Sequence, residues 1–198
     1  MNRNPETPKV FDISSSEQLG INEKQKNVLM VIAQKDFEDV ELFEPKAILE
    51  MCGAKVDVAS ITTDIATGAQ GGTIKPDLKI SDAKAQNYDA VVVVGGIGAI
   101  GTLWEDLNLR SLLQDAGKQN KIVAAICAAP PTLSKAGLLK HKNATMYPWD
   151  DGIKELTMDG ANYINEEVVV FGNIVTGRNQ DASNAFGHKL CEVLKILK

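Results

Sequence analysis

From residue 27 to the C-terminal end, apolar runs of strand length alternate with stretches of helical period, the pattern of βαβ units around a mostly parallel sheet. Residues 28–33 are almost continuously apolar, which suits a strand covered on both faces. Val40, Phe43, Ala47, Ile48 and Met51 then recur at helical spacing, with Gly53 where a C-terminal cap belongs. Residues 56–61 predict a second strand. The Thr-, Asp- and Gly-rich stretch after it, containing Ile74, Leu78 and Ile80, predicts an excursion of short strands. Residues 90–94 predict a buried strand ending abruptly at Gly95, Gly96, Ile97 and Gly98. Leu109, Leu112, Leu113 and Ala116 mark a helix, residues 122–126 another strand, and residues 128–139 a helix running into a loop. A hairpin is expected over residues 168–171 and 174–176, turned at Gly172 and Asn173. Phe186, Leu190, Val193, Leu194 and Leu197 then mark a terminal amphipathic helix.

Residues 1–26 break the pattern. Val10, Phe11, Ile13, Leu19 and Ile21 are scattered around Ser14, Ser15 and Ser16 with no sustained period, so this segment reads as an N-terminal extension. No repeat or linker divides residues 27–198, which are expected to form a single domain.

Composition narrows the class of partner. The 198 residues carry 21 Lys and Arg against 26 Asp and Glu, a net charge of -5, which leaves no large positive field for nucleic acid or for an anionic membrane surface. No apolar run is long enough to cross a bilayer, and the N-terminal residues lack the apolar core of a secretory signal, so a cytoplasmic protein is expected. Cys52, Cys127 and Cys191 are odd in number and lie far apart, with no spacing that completes a zinc site. Reduced thiols are therefore the expectation, and neither metal nor cofactor is called for. Only His141 and His188 are available as imidazole bases.

Cys127 falls at a strand-to-helix turn. It follows the β-branched run ending at Ile126 and precedes Ala128, Ala129, Pro130 and Pro131, and these prolines cannot continue a strand but fit a first helical turn. Such a turn points one side chain out at the top of the sheet, and the small neighbours Ala125, Ala128 and Ala129 permit the tight packing of a nucleophile elbow. A helix beginning there would offer free N–H groups and a partial positive charge, both lowering the thiol pKa. Placement alone leaves Cys127 open between a reactive thiol and a packed small hydrophobe. Cys52, before Gly53, and Cys191, on the terminal helix, read as packing. Gly95, Gly96 and Gly98 do not match a dinucleotide-binding fingerprint.

Four stretches together resemble the ThiJ/PfpI superfamily, which includes PfpI-type intracellular proteases and Parkinson-associated protein deglycases. They are the run from Asp36 to Leu42, the strand and turn from Asp89 to Gly96, the elbow from Ala124 to Pro130 with Leu133 and residues 136–139 after it, and Val175, Thr176, Gly177 and Arg178. The resemblance implies a flavodoxin-like three-layer α/β/α sandwich of the class I glutamine amidotransferase type. It implies Cys127 as nucleophile, Glu41 as the carboxylic acid that hydrogen-bonds its sulfur, and Gly96 and Ala128 as backbone N–H donors of an oxyanion hole. It also implies a homodimer or larger homo-oligomer. On the residues alone, Glu41 is an acid in the first turn of a helix, beside Glu38 and Asp39.

Two departures shape the functional expectation. PfpI-type proteases place a histidine directly after the nucleophile, where this chain has Ala128. The deglycase and glyoxalase branch has alanine there but supplies a histidine before a proline on a later loop, where this chain has Tyr147 before Pro148. A phenol is a poor general base near neutrality. His141 and His188 read as solvated surface residues. Tyr147, Trp149, Asp151 and Arg178 are the candidates for the pocket around Cys127, while Asp150 and Asp151 also read as a charged loop; Trp104 lies on a loop at the same end of the strands. The expected activity is a glyoxalase- or deglycase-like reaction of the Cys127 thiolate with small reactive carbonyls, Glu41 moving the proton. A redox-sensing or chaperone-like protein oxidised at Cys127, and a PfpI-like peptidase or amidase, are the alternatives.

Overall fold

The structure, a computed structural model, describes residues 25–196. The expected extension therefore lies almost wholly outside the described residues, as does Leu197 of the terminal helix. In chain order the elements are strands β1 (Asn27–Val31) and β2 (Lys35–Phe37), helix α1 (Asp39–Met51), and strands β3 (Lys55–Ser60), β4 (Ala66–Gly68), β5 (Thr73–Ile74), β6 (Leu78–Lys79) and β7 (Ala90–Val93). They continue with α2 (Leu107–Lys118), β8 (Ile122–Ile126), α3 (Pro130–Lys135), β9 (Asn143–Ala144), α4 (Asp150–Met158), β10 (Asn162–Tyr163), β11 (Val168–Phe171), β12 (Ile174–Gly177) and α5 (Ser183–Val193).

Seven strands form the central sheet in the order β11-β12-β8-β7-β1-β3-β6, and only the β11–β12 pair is antiparallel. The inner strands are apolar along their whole length because both faces are covered. On β1, Val28 and Met30 join the core beneath Leu42, Ile48, Leu49, Phe186 and Leu190 of α1 and α5. Leu29 and Val31 join the opposite core with Leu109, Leu113 and Leu133 of α2 and α3. The result is the three-layer sandwich expected, with its flavodoxin-like arrangement of parallel strands.

Helices α1 and α5 approach closely at Gly187, where a Cβ would stand 2.9 Å from Ile48 Cδ1 and 3.1 Å from Pro45 Cα. Further along this seam, Cys52 and Cys191 form a disulfide with Cα atoms 6.4 Å apart. This corrects the expectation that Cys52 and Cys191 are reduced thiols that merely pack: the free cysteine is Cys127 alone. Two partners separated by 139 residues meet through helix packing, which no local spacing reveals.

Two smaller corrections concern local structure. Asp150 and Asp151 are not in a loop but form the acidic first turn of α4, where the helix dipole favours them. Ile80 belongs to a 3₁₀ turn (Ile80–Asp82) rather than to a strand.

Candidate active site

The carboxyl ends of β1, β7 and β8 lie side by side, so the turns leaving them converge. From the first turn comes Glu41, on α1 and fully buried. From the second come Gly95 and Gly96. From the third comes Cys127, whose φ of 59° places a residue with a Cβ in the left-handed region. Such a conformation costs on the order of 1 kcal/mol and persists only where the surroundings enforce it. Here the Cys127 N–H donates to Gly177 O at 3.0 Å and its carbonyl accepts from Tyr147 N–H at 3.0 Å, so both flanking peptides are fixed.

The helix after the turn departs from expectation. Helix α3 starts at Pro130, three residues beyond the sulfur, has only six residues and opens on two prolines without N–H groups. The Ala129 N–H is already engaged by Ile126 O at 2.9 Å. No helix N-terminus therefore lowers the Cys127 pKa. Instead burial, followed by the nearby Glu41 charge, pushes the thiol up, and the backbone N–H groups of Gly96 and Ala128 act in the opposite direction by hydrogen-bonding the sulfur.

Glu41 is pushed up to about 8, chiefly by burial and secondarily by the charge of Glu38, against hydrogen bonds to Cys127 and to Gly95 N–H. Its Oε2 accepts from Gly95 N–H at 3.1 Å, whereas Oε1 has no other polar partner and is left to the Cys127 sulfur. At pH 7 the carboxyl is thus uncharged, the Coulombic push on the sulfur disappears, and its O–H becomes a donor. Glycine is required beside this pair. A Cβ on Gly95 would lie 2.6 Å from Glu41 Oε2 and 2.7 Å from Ile126 O, and Gly96 adopts a φ of 95° with no room for a side chain.

Cys127 is 8% exposed and opens onto a pocket of about 280 Å³. Besides Cys127 it is lined by Glu38, Gly96, Ala128 and Gln180, and by the apolar and aromatic Ile97, Ile100, Tyr147 and Trp149. The aromatic wall is built from the far side of the sheet. Thr176 Oγ1 accepts from Thr145 N–H at 2.9 Å, which docks the strand-like segment carrying Tyr147, and Trp149 stacks on Trp104 at 6.3 Å between ring centroids. Trp104 Nε1 in turn donates to Ala128 O at 2.8 Å, bracing the elbow.

Of the expected site residues, Cys127, Glu41, Gly96, Ala128, Tyr147 and Trp149 are brought together. Asp151 and Arg178 do not line this pocket: Asp151 is exposed on α4, and Arg178 follows β12 with its N–H donated to Glu167 O. Neither histidine lines it either, His141 and His188 both being exposed elsewhere. Glu38, Ile97, Ile100 and Gln180 were not anticipated. The apolar Ile97 between glycines was the one available signal for the rim. Among the described residues no helix is long and apolar enough to cross a membrane, and no cluster of three His, Cys, Asp or Glu side chains could hold a metal ion.

Residues 26–193 match the model of the DJ-1/PfpI family. The chain is 44% identical over 186 residues to an uncharacterized protein of Methanocaldococcus jannaschii, covering 94% of this chain and 89% of that one. It is 32% identical to a deglycase of Pyrococcus abyssi, covering 84% of this chain and 99% of the relative. A glutathione-independent glyoxalase of Caenorhabditis elegans is 27% identical, with 86% and 90% covered. Among solved structures, a ThiJ/PfpI domain protein from Brachyspira murdochii superposes with a TM-score of 0.83 at 36% identity, covering 88% of this chain and 99% of that one.

Proposed function

The chain belongs to the DJ-1/PfpI family, and from that premise we propose that it is a Cys127-dependent enzyme acting on small reactive carbonyls, converting 2-oxoaldehydes such as methylglyoxal to 2-hydroxy acids. The relatives named deglycase and glyoxalase support an enzymatic role of this general kind. The observation that carries the reading is the convergence on one small pocket of a free sulfur, an uncharged buried carboxyl and two backbone N–H groups.

The sulfur of Cys127 adds to the aldehyde carbon, forming a C–S bond as the carbonyl π bond breaks. Glu41 moves the proton that leaves the sulfur onto the new alkoxide, so the hemithioacetal forms without a net charge in a poorly solvated site. The Gly96 and Ala128 N–H groups hold the oxygen while its charge develops, an interaction typically worth about 3 kcal/mol per donor in acyl-transfer sites. Hydrogen then passes from C1 to C2, giving an S-acyl intermediate whose hydrolysis releases lactate and restores the thiol. Water is the only co-reactant, because C1 is oxidised as C2 is reduced. The pocket suits a substrate of a few heavy atoms. The test is lactate formation from methylglyoxal by the wild type and by Cys127→Ser between pH 5 and pH 9. Turnover confined to the wild type is expected; none by either, or equal turnover by both, overturns the reading.

A further inference from the structure

The glyoxalase-like reading leaves one step without an actor: hydrogen must leave C1 and arrive at C2 of the bound hemithioacetal. With no histidine in the pocket, the ionisable groups lining it are Cys127, bonded to substrate at this stage, the Tyr147 phenol, and Glu38, with Glu41 behind the sulfur. Resting on that reading, we propose that Glu38, half-buried and hydrogen-bonded on its exposed side, is the base that takes the C1 proton, exchanges it with solvent and then protonates C2.

The position of Glu38 fits the task. It is the residue before α1, its N–H anchored to Gly95 O at 3.2 Å, so its backbone is tied to the same turn that forms the oxyanion site. Its carboxylate is held by Gln70 Nε2 at 2.5 Å. Gln70 is in turn positioned by Asp39, whose Oδ2 accepts from Gln70 N–H at 2.8 Å and whose Oδ1 accepts from Gly72 N–H at 2.6 Å. One neighbouring acid, Asp39, and the β4–β5 turn thus hold the Glu38 carboxylate in place. Oε1 of that carboxylate accepts from Gln70, and Glu38 lines the same pocket as Cys127.

The electrostatics agree. Burial, and then the charge of Asp39, raise the Glu38 pKa above its ordinary value, while the Val40 N–H restrains the rise. That makes it a stronger base than a solvated carboxylate. The other groups near it are the neutral Glu41 carboxyl, the Cys127 sulfur and Tyr147 phenol of the same pocket lining, and the uncharged amides of Gln70 and Gln180; among the described residues no cation lines the pocket.

The step balances. Glu38 removes H⁺ from C1, the electron pair becomes the C1=C2 bond, and the C2 carbonyl oxygen takes up the charge. Glu38 then protonates C2, the proton on the C1 oxygen moves to the C2 oxygen, and a C1 carbonyl forms next to sulfur.

The experiment compares wild type, Glu38→Gln, Glu38→Asp and Cys127→Ser on methylglyoxal in D₂O. Wild type is expected to place solvent deuterium at C2 of lactate. Glu38→Gln is expected to lose about 100-fold in kcat with little change in KM and to lose the acid limb of the pH profile, and Glu38→Asp to recover part of the rate. Iodoacetamide alkylation of Cys127 at wild-type rate in Glu38→Gln checks that the elbow is intact. Lactate retaining the substrate hydrogen at C2, or a Glu38→Gln rate within about threefold of wild type, overturns this inference while leaving Cys127 chemistry standing. Turnover by Cys127→Ser instead overturns the reading beneath it.

Discussion

Cysteine sulfur occurs in two regions of this molecule, and both touch α1. At its C-terminal end Cys52 has relaxed helical backbone, φ -73°, and meets Cys191 near the C-terminal end of α5. Near its N-terminal end Glu41 meets Cys127, whose φ of 59° is left-handed. The first pair sits where two apolar helix faces pack, and each sulfur is consumed by the other. The second sulfur is surrounded by a carboxyl and two peptide N–H groups and opens on a pocket. The contrast teaches that the fate of a thiol here follows from backbone conformation and polar company rather than from burial, since Cys127 and Cys191 are both buried.

The strongest way to break the contrast is Cys127→Ser. It is expected to lower turnover about 10⁴-fold, on the order of 5 kcal/mol of transition-state stabilisation, with the urea midpoint almost unmoved. Cys191→Ala should do the reverse. Opening a bridge whose ends are 139 residues apart is expected to cost about 3–5 kcal/mol in urea unfolding while leaving the alkylation rate of Cys127 unchanged.

Gly95→Ala should damage both properties, because the added methyl would press on backbone at Ile126 O and Ala128 N as well as on Glu41 Oε2. A stability loss of about 1–3 kcal/mol is expected, together with a rate loss larger than that destabilisation explains. The last effect is a pH trend. Glu41 has a folded pKa of about 8 against 4.5 unfolded, so the native state holds more protons than the unfolded chain between these values, and stability falls as pH rises through this window. Glu41→Gln cannot titrate and should therefore gain on wild type between pH 5 and pH 8, read as a shrinking difference between their urea midpoints.

The parallel strands were legible because a strand covered on both faces must be apolar throughout, as Val91, Val92 and Val93 are. The Cys127 turn was legible from the abrupt change between Ile126 and the two prolines. The start of α3 was not, because the two residues between Cys127 and the helix depend on how peptides near β8 and β12 pair. Helix α4 was hidden behind Trp149, Asp150, Asp151 and Gly152, which resemble a turn, and only Ile153 and Leu156 supply its apolar spacing. Glu38 read as one acid among several at a helix start. Its place beside Cys127 and Gln180 exists only once three distant turns have met at one end of the sheet.

The bridge between Cys52 and Cys191 also closes most of the polypeptide into a covalent ring that contains the elbow and most of its pocket lining, with Glu38 and Glu41 outside it. A protease that nicks any exposed loop within that ring produces two fragments that still migrate together on a non-reducing gel. They separate only after a reductant is added, so the site could outlast a cut in its own scaffold.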